Sequence, residues 1–305
     1  MEVCMKPIIT GFLDQDGQLS LEDQIEQANR HDLDALCLKS YKGEKLIELS
    51  EPSQKQLLQT LKQNRLRIAI IDPQIRTYDL YDDRAHREAL DEFKYMAMMA
   101  DRLRATHLYH RLPVINDVIK EFADINERLT PFLDIAHKHG KKLVLVPSDG
   151  QKTNVYAYIL KKFKNNQLSI VFDPVYLMLN DESTTTAYRL LKGHIGAVRA
   201  IDADLLGNPC LMGYGKTDIL AIFKKLLRDK YQGMFLVDNH FYNQVFNPVI
   251  VKQSFFKRVF SSDKKKREGT MQDLARKIFP KEENRTVTYD DILDNQIKVL
   301  NVIFR

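Results

Sequence analysis

Cysteine is scarce in this chain: Cys4, Cys37 and Cys210 stand far apart, and none forms a CxxC pair. That spacing argues against a disulfide framework and a cysteine zinc site, and it fits a reducing, cytoplasmic setting. The start MEVCMKPIIT lacks the basic start followed by a long apolar core that a secretory signal needs, and no run reaches the roughly 18 apolar residues of a membrane span. Neither secretion nor a membrane partner is expected. Glycine and proline are few, 12 and 10 of 305 residues, and no tract is repetitive, so nothing suggests a low-complexity array. Absent too is a glycine-rich phosphate loop after the first apolar run, where DQDGQ stands instead. A dinucleotide or nucleoside triphosphate fold thereby loses its main support.

What is present is an ordinary globular composition, 44% hydrophobic and 29% charged, in a chain long enough for a large core. The net charge of +5 looks like a nucleic-acid signal until it is located. Lys252 to Arg267 holds seven basic residues against Asp263 alone, so that segment carries +6 and the remainder is close to neutral. A basic stretch interleaved with Phe255, Phe256, Val259 and Phe260 could track a phosphate backbone, but a solvated loop over a few buried rings is the commoner arrangement. Nucleic acid is not the expected partner.

Short β-branched runs alternate with helical patterns as far as residue 240. Eight strands are predicted: Pro7 to Leu13, Ala35 to Lys39, Arg67 to Ile71, Thr106 to Leu112, Lys142 to Pro147, Leu168 to Asp173, Ala197 to Asp202 and Gly233 to Asp238. Between them, Ser20 and Ser50 read as N-caps, and Ala85 to Leu103 and Asp117 to His139 as long amphipathic helices. Pro131 should kink or split the second, and Gly140 should stop it. Eight strands in strict alternation favour an α/β fold, a closed (β/α)8 TIM barrel, over an open sheet of five or six strands. Residues 1–248 form the expected barrel. Residues 249–305 form a C-terminal helical extension packing on it: a basic loop, with Ser261 to Gly269 having nothing apolar to bury, then helices over Thr270 to Phe279 and Tyr289 to Phe304.

Barrel enzymes collect their chemistry at the C-terminal strand ends. Here those positions carry Lys39, Asp72, His107, His110, Arg111, Ser148, Asp149, Asp173, Tyr176, Arg199, Asp202, Asp238 and His240. Asp173 and Asp202 could equally cap the following loops, and His107 and His110 fall on opposite faces of one strand, so only one can point inward. Asp14 and Asp16 resemble part of a calcium loop without its remaining ligands.

LDALCLKSYKGEKL, IVFDPVYL, AVRAIDADLLG with LMGYGKTD, and GMFLVDNH together resemble the sugar phosphate isomerase/epimerase family, a xylose isomerase-like barrel related in fold to AP endonuclease family 2, over roughly residues 7 to 240. Gly213, Gly215 and Asp218 match the family's GxGxxD motif. The resemblance implies one divalent cation, Mn, Mg, Co or Zn, held by a glutamate on strand five, an aspartate on strand six, a histidine on strand seven and a glutamate on strand eight. This chain keeps Asp173 but has Val146 or Pro147, Arg199 and Asp238 at the other three positions. Arginine cannot ligate a metal and repels one nearby. No cofactor is therefore expected: Arg199 should replace the cation, pairing with Asp173 and Asp238.

Three functions remain open. The first is a sugar or sugar phosphate isomerase/epimerase, with Asp173, Asp238 and His240 as acid/base groups and Lys39, His110, Arg199, Tyr176 and Asp202 binding the ligand. The second is a barrel that binds a sugar-like anion without turnover. The third, an abasic-site endonuclease, needs about three zinc ions and a histidine-rich ligand set that eight histidines poorly supply. A homo-oligomer is compatible with each.

Overall fold

Eight aliphatic runs become one parallel sheet: β1 (Ile8–Gly11), β2 (Leu36–Leu38), β3 (Ile68–Ile71), β4 (His107–His110), β5 (Lys142–Leu145), β6 (Leu168–Phe172), β7 (Ile195–Arg199) and β8 (Met234–Val237). The computed structural model describes residues 6–14, 19–148, 150–164, 166–237, 241–246, 271–282 and 285–305. Hydrogen-bonded neighbours run β1, β8, β7, β6, β5, β4, β3, β2, every pair parallel. The β1–β2 seam is joined differently. Asp34 N–H donates to the Ile9 carbonyl (3.0 Å), the Thr10 hydroxyl to the Ala35 carbonyl (2.8 Å), and Ile9 N–H to the Asp34 carboxylate (2.7 Å). The result is a (β/α)8 barrel.

The connecting helices are α1 (Leu21–Arg30), α2 (Glu51–Gln63), α3 (Asp83–Arg102), α4 (Phe122–Lys138), α5 (Thr153–Phe163), α6 (Pro174–Leu179), α7 (Thr184–Leu191) and α8 (Ile219–Arg228). Ser20 and Ser50 cap α1 and α2 by accepting from the N–H groups of Asp23 and Ser53, satisfying donors that have no partner inside the helix. Two expectations for α4 change. It begins at Phe122, not Asp117, because the Asp117 carboxylate accepts from Ile119 and Lys120 N–H and Glu121 accepts from Asn116 and Asp117 N–H, side-chain bonds that compete with a helical turn. Pro131 does not split it: Ile125, Leu129, Phe132, Leu133 and Ala136 bury one continuous face across the proline, and tertiary packing outweighs one missing backbone bond.

Two apolar layers result. Outward-facing strand residues such as Ile9, Leu38, Leu108, Leu145, Phe172 and Val198 pack beneath the helices. Inside the barrel, Cys37, Ala69, Tyr109, Val144, Val171, Ala197, Met234 and Leu236 fill the interior, so it is a packed core and not a pore.

After β8, Tyr242–Phe246 form a π-helical turn, followed by α9 (residues 271–278) and α10 (Tyr289–Phe304). Thr288 caps α10 in a reciprocal box with Asp291. Its Ile292, Leu293, Ile297 and Leu300 are buried, and Phe304 packs on Phe223 of α8 and Phe235 of β8 at ring separations of 5.5 and 4.4 Å. Arg30 pairs with Asp290, and Arg305 with Asp34, so α10 braces the segment where β1 meets β2. Lys252 to Arg267, including its phenylalanines, and Ser261 to Gly269 lie outside the described residues.

Candidate ligand-binding site

Ends of adjacent parallel strands lie about 5 Å apart, close enough for a cation on one to meet a carboxylate on the next. The barrel mouth does this three times. Past β1 and β2, Asp14 sits 3.3 Å from the Lys39 ammonium and accepts from Ser40 Oγ at 2.9 Å. Past β3 and β4, Asp72 takes two parallel bonds from the Arg111 guanidinium, both 2.8 Å, and a third from Gln74 N–H. Past β6 and at the end of β7, Asp173 and Arg199 meet at 2.5 Å. The other Asp173 oxygen accepts from Val175 and Tyr176 N–H at 3.0 and 2.9 Å, capping α6. Asp173 is thus both cap and ion-pair partner, accepting from three donors. Its side chain is 8% exposed against 35% for Arg199, so of the two it is Arg199 that reaches solvent.

Tyr109 and Phe12 form an aromatic floor between these pairs, ring centroids 5.4 Å apart. Burial holds the Tyr109 phenol protonated well above its ordinary range. Cys37 and the Asp72 carboxylate add to that effect, and the cations of Arg199 and Arg111 oppose it. Tyr109 therefore senses both the β3–β4 pair and the β6–β7 pair. Beneath it, burial pushes the Cys37 thiol up to about 12, which leaves it an inert core residue. On the β2–β4 side a cleft of about 510 Å3 opens, lined by Lys39, Lys45, Asp72, Gln74, Arg76 and Arg111 among others.

The remaining sequence-selected residues sit elsewhere. The Tyr176 hydroxyl lies 2.6 and 2.5 Å from the carbonyls of Ser148 and Gln151, tying the β5 loop to α6. Asp202 is buried and accepts from the N–H groups of Gly213, Gly215 and Thr217 and from the Thr217 hydroxyl. It holds the GYGKTD loop in place, and both its oxygens are occupied. His110, expected among the ligand-binding groups, faces the helix layer between Phe93 of α3 and Phe132 of α4, at ring separations of 6.0 and 4.4 Å. Strand parity puts Tyr109 inside and its neighbour outside. His107 shares the Tyr109 face but at the opposite end of the strand, and burial lowers its pKa to about 4. Asp149, Asp238 and His240 lie outside the described residues. Sequence reasoning missed Tyr109, Phe12, Lys45 and Arg76, and it noted Asp72 and Arg111 without pairing them. The HLYH alternation held the signal for Tyr109.

The donors present do not fit the four-ligand cation site that the resemblance implied. Val146 packs against the apolar barrel interior where a strand-five glutamate would stand, and Arg199 occupies the strand-seven position against Asp173. Among the described residues, no three His, Cys, Asp or Glu side chains converge closely enough to hold a metal ion. Nor is any helix among them long and apolar enough to cross a membrane.

The sequence between residues 25 and 253 matches the family model described as a xylose isomerase-like TIM barrel. The chain belongs to that family. No curated protein matches its sequence. Solved structures of similar fold include D-allulose 3-epimerase from Methylomonas sp., with a TM-score of 0.66 and 13% identity, covering 98% of this chain and 99% of that one. The IolI protein with a bound zinc atom has a TM-score of 0.65 at 17% identity, covering 89% and 99%. 3-Keto-D-glucoside 4-epimerase, YcjR, from E. coli has a TM-score of 0.58 at 14% identity, covering 76% and 91%. At these identities the likeness is one of fold.

Proposed function

We propose that this xylose isomerase-like barrel binds a sugar or sugar phosphate at its C-terminal mouth, using fixed cations where the family pattern would place a metal. The observation that carries this reading is the Arg199–Asp173 pair: a guanidinium supplies localised positive charge and directional N–H donors without a metal's ligand set. The Phe12–Tyr109 floor suits the apolar face of a sugar ring, and the flanking ion pairs suit its hydroxyls.

The second reading is proton transfer beside a sugar carbonyl, with Asp173, Asp238 and His240 as acid/base groups. Retention of Asp173 at the end of β6 favours it, while the three donors on that carboxylate weigh against Asp173 acting as the base. Metal analysis of protein purified without chelator, joined to a thermal-shift screen of ketoses and ketose phosphates, separates the two. The proposal expects no stoichiometric metal, a ligand-induced rise in the melting midpoint, and an affinity about tenfold weaker in Arg199→Met. Metal-dependent turnover of a screened sugar would select the isomerase, and no stabilisation by any of them would remove both.

A further inference from the structure

The cleft beside the aromatic floor has a composition that neutral sugar binding does not require. Lys39, Lys45, Arg76 and Arg111 line it together with Asp72; Lys39 is paired with Asp14 and Arg111 with Asp72, so the excess positive charge is that of Lys45 and Arg76. The four cations come from three consecutive strand ends. Lys39 follows β2, Lys45 follows from the short hairpin that pairs Ser40–Tyr41 with Glu44–Lys45, Arg76 lies in the loop after β3, and Arg111 directly follows β4. Among the described residues, neither Lys45 nor Arg76 has a carboxylate within ion-pair distance.

The loop bearing Arg76 is built and not merely long. Gln74 adopts a left-handed conformation (φ 58°), its N–H bonds Asp72, and its side-chain amide donates to the Lys39 carbonyl at 3.2 Å. Gln74 thereby ties the β2 and β3 ends together. The paired bonds from Arg111 to Asp72 fix that guanidinium's plane and leave further N–H donors on it.

We propose that this cleft is a phosphate subsite, which takes the phosphate group of a sugar phosphate whose sugar lies over Phe12 and Tyr109 toward Arg199. The inference rests on the sugar-binding reading above and narrows its substrate class to phosphate monoesters. A phosphate monoester carries close to two negative charges and three terminal oxygens at neutral pH, matching several cations converging from different loops. A carboxylate offers one charge and two oxygens and would leave the excess positive charge uncompensated. The cleft volume of about 510 Å3 accommodates a phosphate with part of its sugar.

The test uses the full chain and inorganic phosphate as the probe. Wild-type protein, Arg76→Gln, Lys45→Gln and the exposed control Lys161→Gln are titrated with phosphate against chloride at matched ionic strength, following the melting midpoint. Lys45 and Arg76 are exposed, so their loss leaves the core intact. Phosphate is expected to stabilise wild type and Lys161→Gln, with affinity about tenfold lower in either cleft variant. No phosphate-specific stabilisation of wild type, or equal affinity in the cleft variants, overturns the subsite.

D-Fructose and D-fructose 6-phosphate then separate the two claims. The subsite predicts that the phosphate ester binds more tightly than the free sugar in wild type and loses that advantage in Arg76→Gln. Equal binding of both compounds by both proteins removes the subsite and keeps the sugar reading. Phosphate binding lost in Arg76→Gln, with neither compound exceeding inorganic phosphate, keeps the subsite and removes the sugar reading.

Discussion

An arginine 2.5 Å from a carboxylate changes what that carboxylate can offer. Asp173 would be an oxygen ligand beside a histidine. Beside Arg199, and capping α6, its oxygens accept from internal donors, and the more exposed member of the pair is the cation. His110 shows the opposite displacement. It stands at a strand end, yet parity turns it into the helix layer, where burial, with smaller contributions from Arg111 and His86, depresses its pKa to about 3.

In the unfolded chain a histidine titrates near 6.5. As pH falls from about 6.5 toward 3, the unfolded state takes up a proton that the folded His110 refuses, so stability drops across that window and is fully present above it. One such group contributes a slope of at most about 1.4 kcal/mol per pH unit. Urea denaturation at pH 7, 6, 5 and 4.5 should show stability falling with acid, and His110→Phe should flatten the slope while His107 retains its own share. Equal slopes in the two proteins would show that His110 is not buried neutral.

At the scale of elements, the GYGKTD loop illustrates how a family motif can serve architecture. Gly213 takes φ 90°, and a Cβ on Gly215 would stand 2.0 Å from the Asp202 carboxylate and 2.5 Å from the Ala203 carbonyl. Both glycines let the loop wrap around the buried Asp202, whose two oxygens gather its N–H groups before α8 starts. Asp202→Asn replaces one acceptor oxygen with a donor facing other donors. It should cost about 2–4 kcal/mol in urea denaturation, and a change under about 0.5 kcal/mol would contradict this role.

Most elements were legible from local pattern. The eight apolar runs, the serine caps of α1 and α2, and the span of α10 required only periodicity and capping chemistry. The start of α4 was not legible, because the carboxylates of Asp117 and Glu121 win locally over a pattern that reads as helix. At the mouth, Asp173 and Arg199 stood out because each ends an apolar run. The Asp72–Arg111 pair and the cleft did not, since 39 residues separate those partners in sequence and only the strand order makes them neighbours.

Across the whole molecule, parallel strand order is what converts scattered charges into a site. β1 and β2, β3 and β4, and β6 and β7 each contribute one cation–carboxylate pair, so fixed cations, each beside a carboxylate, stand on two sides of an aromatic floor. C-terminal helix α10 braces the seam beneath the first of these pairs through Arg30–Asp290 and Arg305–Asp34. The central claim is that charge at this mouth comes from side chains and not from a bound cation. Calorimetric titration of the chain with D-fructose 6-phosphate, in the presence of EDTA and again in the presence of Mn2+, tests it most directly. The account predicts the same dissociation constant in both, whereas binding abolished by EDTA and restored by Mn2+ would contradict it.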